Sequence, residues 1–213
     1  MANTPDRRVE RTVQLLRGAL VSLIREKGFE TLTVQEIIDR ANVGRATFYA
    51  HFDNKDDLLA SGFEDLRAAL RARQREAFAR GRTVEDRVFG FTRDVFAHSN
   101  AHREVFRAMV GKRSGAIVER LLHKLLIELL RGDVTAAGAG TRSRDVRAEA
   151  LVQFLAGALF GLLMWWIDGR QRLSEGEIDA LFRAMALPAF SAATAPGGRA
   201  ARRRVRGTPG DKS

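Results

Sequence analysis

The chain has 213 residues, no cysteine and a formal net charge of +10. Its length suits one large domain or two small ones, and the lack of cysteine excludes disulfide bridges and thiolate metal sites. The positive charge does not by itself indicate a nucleic-acid partner, because residues 1–70 contain ten Lys or Arg against eleven Asp or Glu. Alanine, leucine and arginine predominate without long alternating β-branched runs, which favours an all-α fold.

The first two predicted helices are bounded by recognisable caps. Apolar residues at helical spacing over residues 9–24 predict the first helix, which ends at Gly28. Thr33 begins the second helix, since its side chain can form a capping box with Glu36. Asn42 follows this helix, and asparagine tolerates the left-handed conformation that a helix end often needs.

A short third helix is predicted over residues 45–51, with Gly44 as its N-cap. Phe48 faces inward, whereas small, polar and aromatic residues are left facing out. Two short helices joined by a turn of this length form a helix-turn-helix, whose second helix enters the major groove of DNA. The residues predicted to contact DNA are Thr33, Arg45, Ala46, Thr47, Tyr49, His51 and Lys55.

Several of these residues also have a structural alternative. Tyr49 could be a half-buried packing residue, and Lys55 an ordinary surface lysine. Thr33 is a helix cap in either case, although its helix start also offers backbone N–H groups to a phosphate. The spacing of His51 permits either packing or a phosphate bond.

The string ANVGRATFYAHFDNKDDL, residues 41–58, resembles the DNA-binding signature of the TetR family of bacterial transcriptional repressors. Gly44 departs from the Ser or Thr cap that is commoner in the family, and Ala46 stands where Gly is common. The resemblance spans roughly residues 9–66. It implies a dimer that leaves a palindromic operator when a small molecule binds its C-terminal domain. The matching residues are Ala41, Val43, Thr47, Tyr49, His51, Phe52, Lys55 and Leu58.

The remaining elements are predicted from caps and breaks. A long fourth helix starts after Asn54, runs to about Phe78 and links the two domains. Further helices are predicted over residues 83–98, 100–110 and 114–130, followed by a flexible glycine-containing loop over residues 132–141. A long helix over residues 144–168 and a last one from the Ser174 capping box to near Pro188 complete the fold.

The predicted architecture is therefore all-α with about nine helices. An N-terminal three-helix DNA-binding domain covers residues 7–70, with its helix-turn-helix motif at about residues 33–52. A larger ligand-binding and dimerisation domain covers residues 71–191. Residues 192–213 contain six basic residues against one Asp and few apolar ones, which predicts a disordered basic tail. This tail either binds phosphates or only aids solubility.

Residues 154–167 form an uninterrupted apolar run of 14 residues. A membrane span needs about 20, so we interpret the run as a buried helix of a protein without a membrane partner. Phe154, Gly157 and Gly161 lie on one face and are predicted to form a homodimer interface. A pocket for a small apolar or aromatic effector is predicted, although the same side chains could simply fill the core. The predicted pocket residues are Phe91, Phe106, Met109, Phe160 and Met164.

Three classes of function follow. The leading one is a dimeric DNA-binding regulator, a repressor released from its operator by an effector. The second is an enzyme, for which we find no nucleophile–base pair, phosphate loop or metal-ligand cluster, so no catalytic residue, cofactor or metal is predicted. The third is an effector-free architectural protein, with a TetR-type activator as a further alternative. The N-terminus has no cleavable apolar segment, so we expect a cytoplasmic, nucleoid-associated protein.

Overall fold

The computed structural model describes residues 4–109, 113–137, 146–169 and 172–194, and within these ranges it contains ten helices and no strand. The all-α prediction is confirmed. Residues 195–213 of the predicted basic tail lie outside the described residues. The helices are α1 Thr4–Lys27, α2 Val34–Ala41, α3 Arg45–Tyr49, α4 Lys55–Arg80, α5 Val84–Arg87, α6 Thr92–Ala101, α7 Arg103–Met109, α8 Arg113–Ala136, α9 Val146–Asp168 and α10 Glu175–Thr194.

The N-terminal unit is built from α1 to α3 and the first half of α4. Helix α1 packs against α2 and α4, and α2 packs against α3. Leu16 and Ile24 of α1, Ile37 of α2, Phe48 of α3 and Leu58 of α4 are fully buried. Burial of such side chains stabilises the unit by about 1.5–3 kcal/mol each, before entropy is counted. These contacts fix α3 against a small apolar core.

Helix α4 belongs to both halves of the molecule. Its 26 residues run without a break across the predicted domain boundary at residue 70. The first part packs against α1, and the later part packs against α5 and α8. Gln74 connects α4 to α8, because its Nε2 donates to the Leu129 carbonyl at 2.6 Å and to Asp133 Oδ1 at 2.6 Å.

The single helix predicted over residues 83–98 is wrong, since the chain breaks between α5 and α6. Helix α5 ends before Val88, whose backbone is extended, and Phe89 then adopts a left-handed conformation with a φ of 60°. Its N–H donates to Asp133 Oδ2 at 2.7 Å, and its carbonyl accepts from Thr92 Oγ1 at 2.8 Å. Its ring is buried against Phe182 and Phe190 of α10. Long-range packing therefore overrides the local helical pattern.

The loop predicted over residues 132–141 is also wrong in its first part, because α8 continues to Ala136. Gly132 lies inside α8, where its missing side chain lets Gln74 approach to 3.2 Å from the position of a Cβ atom. Asp133 is fully buried, and its two oxygens accept from α4 and from the α5–α6 connection. These bonds give the carboxylate a structural role that a loop residue would not have.

Helix α9 forms the centre of the C-terminal half. It is long and apolar enough to cross a membrane by length and composition alone, but its inner face packs against α8 and α10, as in the core helix of a globular domain. The Ser174 capping box starts α10 as predicted, with Glu177 N–H donating to Ser174 Oγ at 3.3 Å. Helix α10 then continues through Pro188 to Thr194, so residues 192–194 belong to it and not to the tail.

Candidate nucleic-acid interface

The helix-turn-helix begins with the predicted capping box. Glu36 N–H donates to Thr33 Oγ1 at 3.3 Å, and Thr33 N–H donates to Glu36 Oε2 at 2.9 Å. Hydrogen bonds from Lys27 and then Thr33 lower the pKa of the Glu36 carboxyl to about 2. The cap therefore keeps its charge at neutral pH. The predicted role of Thr33 as a cap is confirmed, and its contact with a phosphate remains a prediction.

The turn between α2 and α3 has a fixed left-handed residue. Asn42 has φ 52° and ψ 48°, and the next residue, Val43, donates its N–H to the Ile38 carbonyl at 3.0 Å. This is a common helix ending, which asparagine accepts more easily than most residues. It sets the direction in which α3 leaves α2.

The exposed side of α3 carries the residues predicted to contact bases. Phe48 is fully buried, and its ring meets the ring of Tyr49 edge-on at 5.3 Å. Tyr49 itself is 46% exposed, and the Arg45 guanidinium carbon lies 5.3 Å from the centre of its ring. Arg45 also donates to Gln35 Oε1 at 3.3 Å. We call the exposed residues Arg45, Ala46, Thr47 and Tyr49 the α3 face.

The α3 face has the chemistry of a groove reader. Arginine can donate two bonds to guanine, threonine can bond to several bases, and a small residue can meet a thymine methyl group. The stacking of Arg45 on Tyr49 and its bond to Gln35 hold the guanidinium near the start of α3. A positioned arginine loses less freedom on binding than a mobile one.

Gly44 caps α3 without a side-chain hydrogen bond. Any residue can adopt its φ of −68° and ψ of 146°. A Cβ atom added at this position would contact only Thr47 Oγ1, at 3.7 Å. We expect Gly44→Ser to stabilise the protein by about 0.5–1 kcal/mol, because it adds a capping oxygen and restricts the unfolded chain. Urea unfolding checks this result. Gly44→Ala is the control, and equal stabilisation by alanine would show that the capping oxygen contributes nothing.

Lys55, which is predicted to contact a phosphate, has a structural role in the protein without DNA. Its Nζ donates to the carbonyls of Phe29 at 2.9 Å, Glu30 at 3.2 Å and Leu32 at 2.8 Å. An ammonium group has three N–H donors, so all of them are used. The same atom lies 4.7 Å from the centre of the Phe29 ring. Lys55 thus joins the start of α4 to the connection between α1 and α2, and its contact with DNA remains a prediction.

His51 lies beside α3 but is less open to solvent. The residue is half-buried, and its ring centre is 6.3 Å from that of Phe52, which is buried. This placement suits packing, and a phosphate bond from His51 remains a prediction.

Two of the residues predicted to line an effector pocket face a cavity among the described residues. Phe106 and Met109 line a cavity of about 560 Å³ between α1, α4 and α6–α8. Phe91 is fully buried at the start of α6 instead, and Phe160 of α9 packs its ring against His123 at 5.5 Å. Met164 is partly buried against the core. Helix α9 does not line this cavity, whose other walls come from α1 and α4, and an effector pocket that includes Phe160 and Met164 remains a prediction.

Several residues that line the cavity are not among the pocket residues predicted from the sequence. Gly18 of α1, Gly62 of α4, His98 of α6 and His102 lie along it. The two glycines could have drawn attention to this place, because glycine inside a helical pattern costs about 1 kcal/mol relative to alanine. The two histidines also have the four-residue spacing that places side chains on one helical face.

The predicted dimer residues lie on an exposed apolar stripe of α9. Phe154 is 59% exposed, Trp165 is also exposed, and a Cβ atom on either Gly157 or Gly161 would meet nothing within 4 Å. Helix α10 packs beside α9 and exposes Leu181 and Met185, which lie one turn apart. We call these exposed residues of α9 and α10 the α9–α10 stripe. Its six members are Phe154, Gly157, Gly161, Trp165, Leu181 and Met185.

Two family models match the chain. Residues 16–61 match bacterial regulatory proteins of the tetR family, and residues 86–187 match a transcriptional regulator C-terminal region. Among curated proteins, the uncharacterised HTH-type transcriptional regulator YxbF of Bacillus subtilis (strain 168) is 42% identical over 154 residues. The match covers 72% of this chain but only 39% of that relative. These descriptions are of transcriptional regulators and not of enzymes.

Solved structures share the fold. A TetR-family regulator from Syntrophomonas wolfei gives a TM-score of 0.68 at 18% identity, covering 88% of this chain and 97% of that one. The Thermus thermophilus FadR repressor, in complex with lauroyl-CoA, gives 0.58 at 20% identity, covering 94% and 100%. The family models cover both the helix-turn-helix unit and the C-terminal helices, in the order expected of one regulator. The chain therefore belongs to the TetR family of bacterial transcriptional regulators.

Proposed function

We propose that this protein is a dimeric DNA-binding regulator that represses transcription from a palindromic operator and leaves it when a small molecule binds. The α3 face carries this proposal. Its four exposed residues stand on a helix whose inner residue, Phe48, is fully buried. A helix held in this way can present its N-terminal residues to base edges in a major groove.

A dimer is needed because one α3 reads only one half-site. Two copies related by a two-fold axis match a palindrome whose half-sites are about 34 Å apart, or a multiple of that distance. The α9–α10 stripe supports this assembly, since adjacent exposed apolar residues such as Phe154, Trp165 and Met185 are typical of the buried centre of an interface. Four helices, α9 and α10 from each copy, would meet there.

Release by an effector requires the ligand to bind one conformation more tightly than the other. We propose an apolar or aromatic ligand, because the buried surface of the C-terminal helices is rich in phenylalanine and leucine. A thermal-shift screen tests this part, since a ligand at free concentration c that binds only the folded protein stabilises it by RT ln(1 + c/Kd). A reporter gene behind the operator then separates a repressor from an activator. Such a regulator would act in the cytoplasm, associated with the nucleoid.

The DNA-binding proposal is tested with the DNA that flanks the gene of this protein. Footprinting locates a protected palindrome, and fluorescence anisotropy with that sequence gives the affinity. We expect Arg45→Ala and Tyr49→Ala each to weaken binding by about 1–3 kcal/mol per lost contact, roughly 5–150-fold, without lowering the unfolding midpoint.

Two further variants complete this test. Arg93→Ala, an exposed arginine on α6, removes the same charge far along the chain from α3 and should retain affinity. Lys55→Ala should instead lower the unfolding midpoint, because it leaves three carbonyls without their donor. Unchanged affinity for both Arg45→Ala and Tyr49→Ala would exclude the α3 face as the DNA-contacting surface.

A further inference from the structure

The cavity between α1, α4 and α6–α8 joins the two halves of the molecule. Its volume of about 560 Å³ falls in the range of small-molecule sites, which is about 300–1,000 Å³. Leu20 and Leu66 from the N-terminal unit face it together with Phe106 and Met109 from α7. Most of its wall is therefore apolar, with contributions from helices that are far apart in sequence.

Two glycines leave this space open. Gly18 lies inside α1 and Gly62 inside α4, and a Cβ atom on either would meet no atom within 4 Å. Glycine inside a helix costs about 0.5–1 kcal/mol relative to alanine. Neither glycine has a positive φ, so backbone conformation does not require them. Both positions instead keep the wall of the cavity free of side chains.

Polar side chains line the cavity at two places. Gln14 and Arg17 both donate to Asp65, so hydrogen bonds link these three residues, and two imidazole rings lie elsewhere along the wall. His98 and His102 lie with ring centres 4.6 Å apart, and neither ring forms a hydrogen bond with another described residue. Burial, followed by the neighbouring His102, lowers the pKa of His98 to about 4. Burial and then Arg25 lower the pKa of His102. Both rings are thus neutral at pH 7, and each can donate one hydrogen bond and accept another.

We propose that this cavity binds a small amphipathic molecule, whose apolar body lies between α1, α4 and α7 and whose single hydrogen-bonding group meets His98 and His102. The proposal deepens the effector function proposed above and rests on it. It places the ligand against the DNA-binding unit itself, and not wholly within the C-terminal helices.

Such a ligand would act directly on the contact between the two halves. Helix α1 packs against α7 beside the cavity, and Arg25 of α1 lies 3.7 Å from Glu104 of α7. A molecule between these helices contacts α1 and α4 on one side and α6–α8 on the other. Its affinity therefore depends on their spacing, and by linkage its binding shifts that spacing.

The chain offers a direct test because it has only four histidines. We would record imidazole NMR spectra of the full-length protein at pH 7 while adding 1-decanol, an apolar chain with one hydroxyl group. The signals of His98 and His102 should move together and saturate. Those of His51 on the DNA-binding unit and His123 on α8 should stay, since neither lines the cavity. Glycerol, which lacks the apolar body, should move none of them.

Variants at Gly62 show whether the cavity itself is occupied. Gly62→Phe adds a ring into open space and should weaken 1-decanol binding at least about tenfold, whereas Gly62→Ala adds one methyl group and should keep it. Gly18→Leu is a second filling variant, should Gly62→Phe fail to fold. Equal affinities of Gly62→Ala and Gly62→Phe for 1-decanol would overturn the proposal. Imidazole NMR shifts confined to His123 would also overturn it.

Operator binding by the same variants separates this proposal from the function on which it rests. Gly62→Phe should bind the operator as the unmodified protein does, yet lose its response to 1-decanol. If the unmodified protein binds no operator but its His98 and His102 signals still move, the regulatory function fails and the site stands. If an effector releases DNA equally well from both proteins, the regulatory function stands and the site is wrong.

Discussion

Replacing Gly161 by leucine should give a folded monomer whose operator affinity falls by about 100-fold or more, because two linked half-site contacts become one. The structure makes this a clean experiment, since a Cβ atom at Gly161 meets nothing within 4 Å of the single chain. The added side chain therefore costs the protomer no packing. In a close contact between two copies of α9, however, it would be overpacked.

Sedimentation velocity at micromolar concentration measures the assembly, and anisotropy measures the DNA affinity. Gly161→Ala is the matched control, since one methyl group raises helix propensity and adds little volume. It should remain a dimer. A Gly161→Leu protein that sediments as the unmodified dimer would mean that the α9–α10 stripe has another use.

The second large effect concerns the buried carboxylate of Asp133. Burial raises its pKa to about 6 from the ordinary value of 3.8, and the bonds from Phe89 and Gln74 only partly oppose this. Between these two pH values the folded protein holds a proton that the unfolded chain releases. The protonated carboxyl group therefore makes its full contribution to the free energy of unfolding below about pH 4. This contribution is lost as the pH rises through about 6, and the total loss is about 3 kcal/mol.

Comparison with Asp133→Asn isolates that effect. The amide of the variant is never charged, so its contribution does not change with pH. The free energy of unfolding of the original protein should therefore fall by about 3 kcal/mol relative to that of Asp133→Asn between pH 4 and pH 7. Urea unfolding at several pH values gives this difference directly. If the difference between the two proteins stayed constant over that range, the raised pKa of Asp133 would be contradicted.

The hydrogen bonds of the same carboxylate need a separate variant. Asp133→Ala leaves the buried Phe89 N–H without an acceptor, which should cost about 1–3 kcal/mol of unfolding free energy. Alanine, like asparagine, cannot titrate. The reduction in unfolding free energy should therefore appear already at pH 4, where the carboxyl group of the original protein is protonated and makes its full contribution to stability.

The parts of the fold that the sequence predicts are those fixed by near neighbours. The capping box joins Thr33 to a residue three positions away, and Asn42 adopts its conformation within one turn. The inward position of Phe48 follows from helical spacing alone. For these reasons the helix-turn-helix and its exposed face can be located from the amino-acid sequence.

The parts that the sequence does not predict depend on distant partners. Lys55 resembles a phosphate-binding residue until its acceptors appear, and these lie 23 to 26 positions earlier in the chain. Asp133 follows a glycine and resembles a loop residue, yet its partner Gln74 is 59 positions away. The left-handed Phe89 depends on the same carboxylate. A pattern of local residues cannot reveal which remote groups will satisfy a buried charge.

The unbroken length of α4 has a mechanical consequence. Its 26 residues form a stiff rod of about 39 Å, fastened at Lys55 to the connection between α1 and α2 and at Gln74 to α8. A tilt of only about 5° about one end of such a rod moves the other end by about 3 Å, close to the axial rise of one base pair. A displacement too small to disturb the core could thus bring the two α3 helices of a dimer out of register with their half-sites.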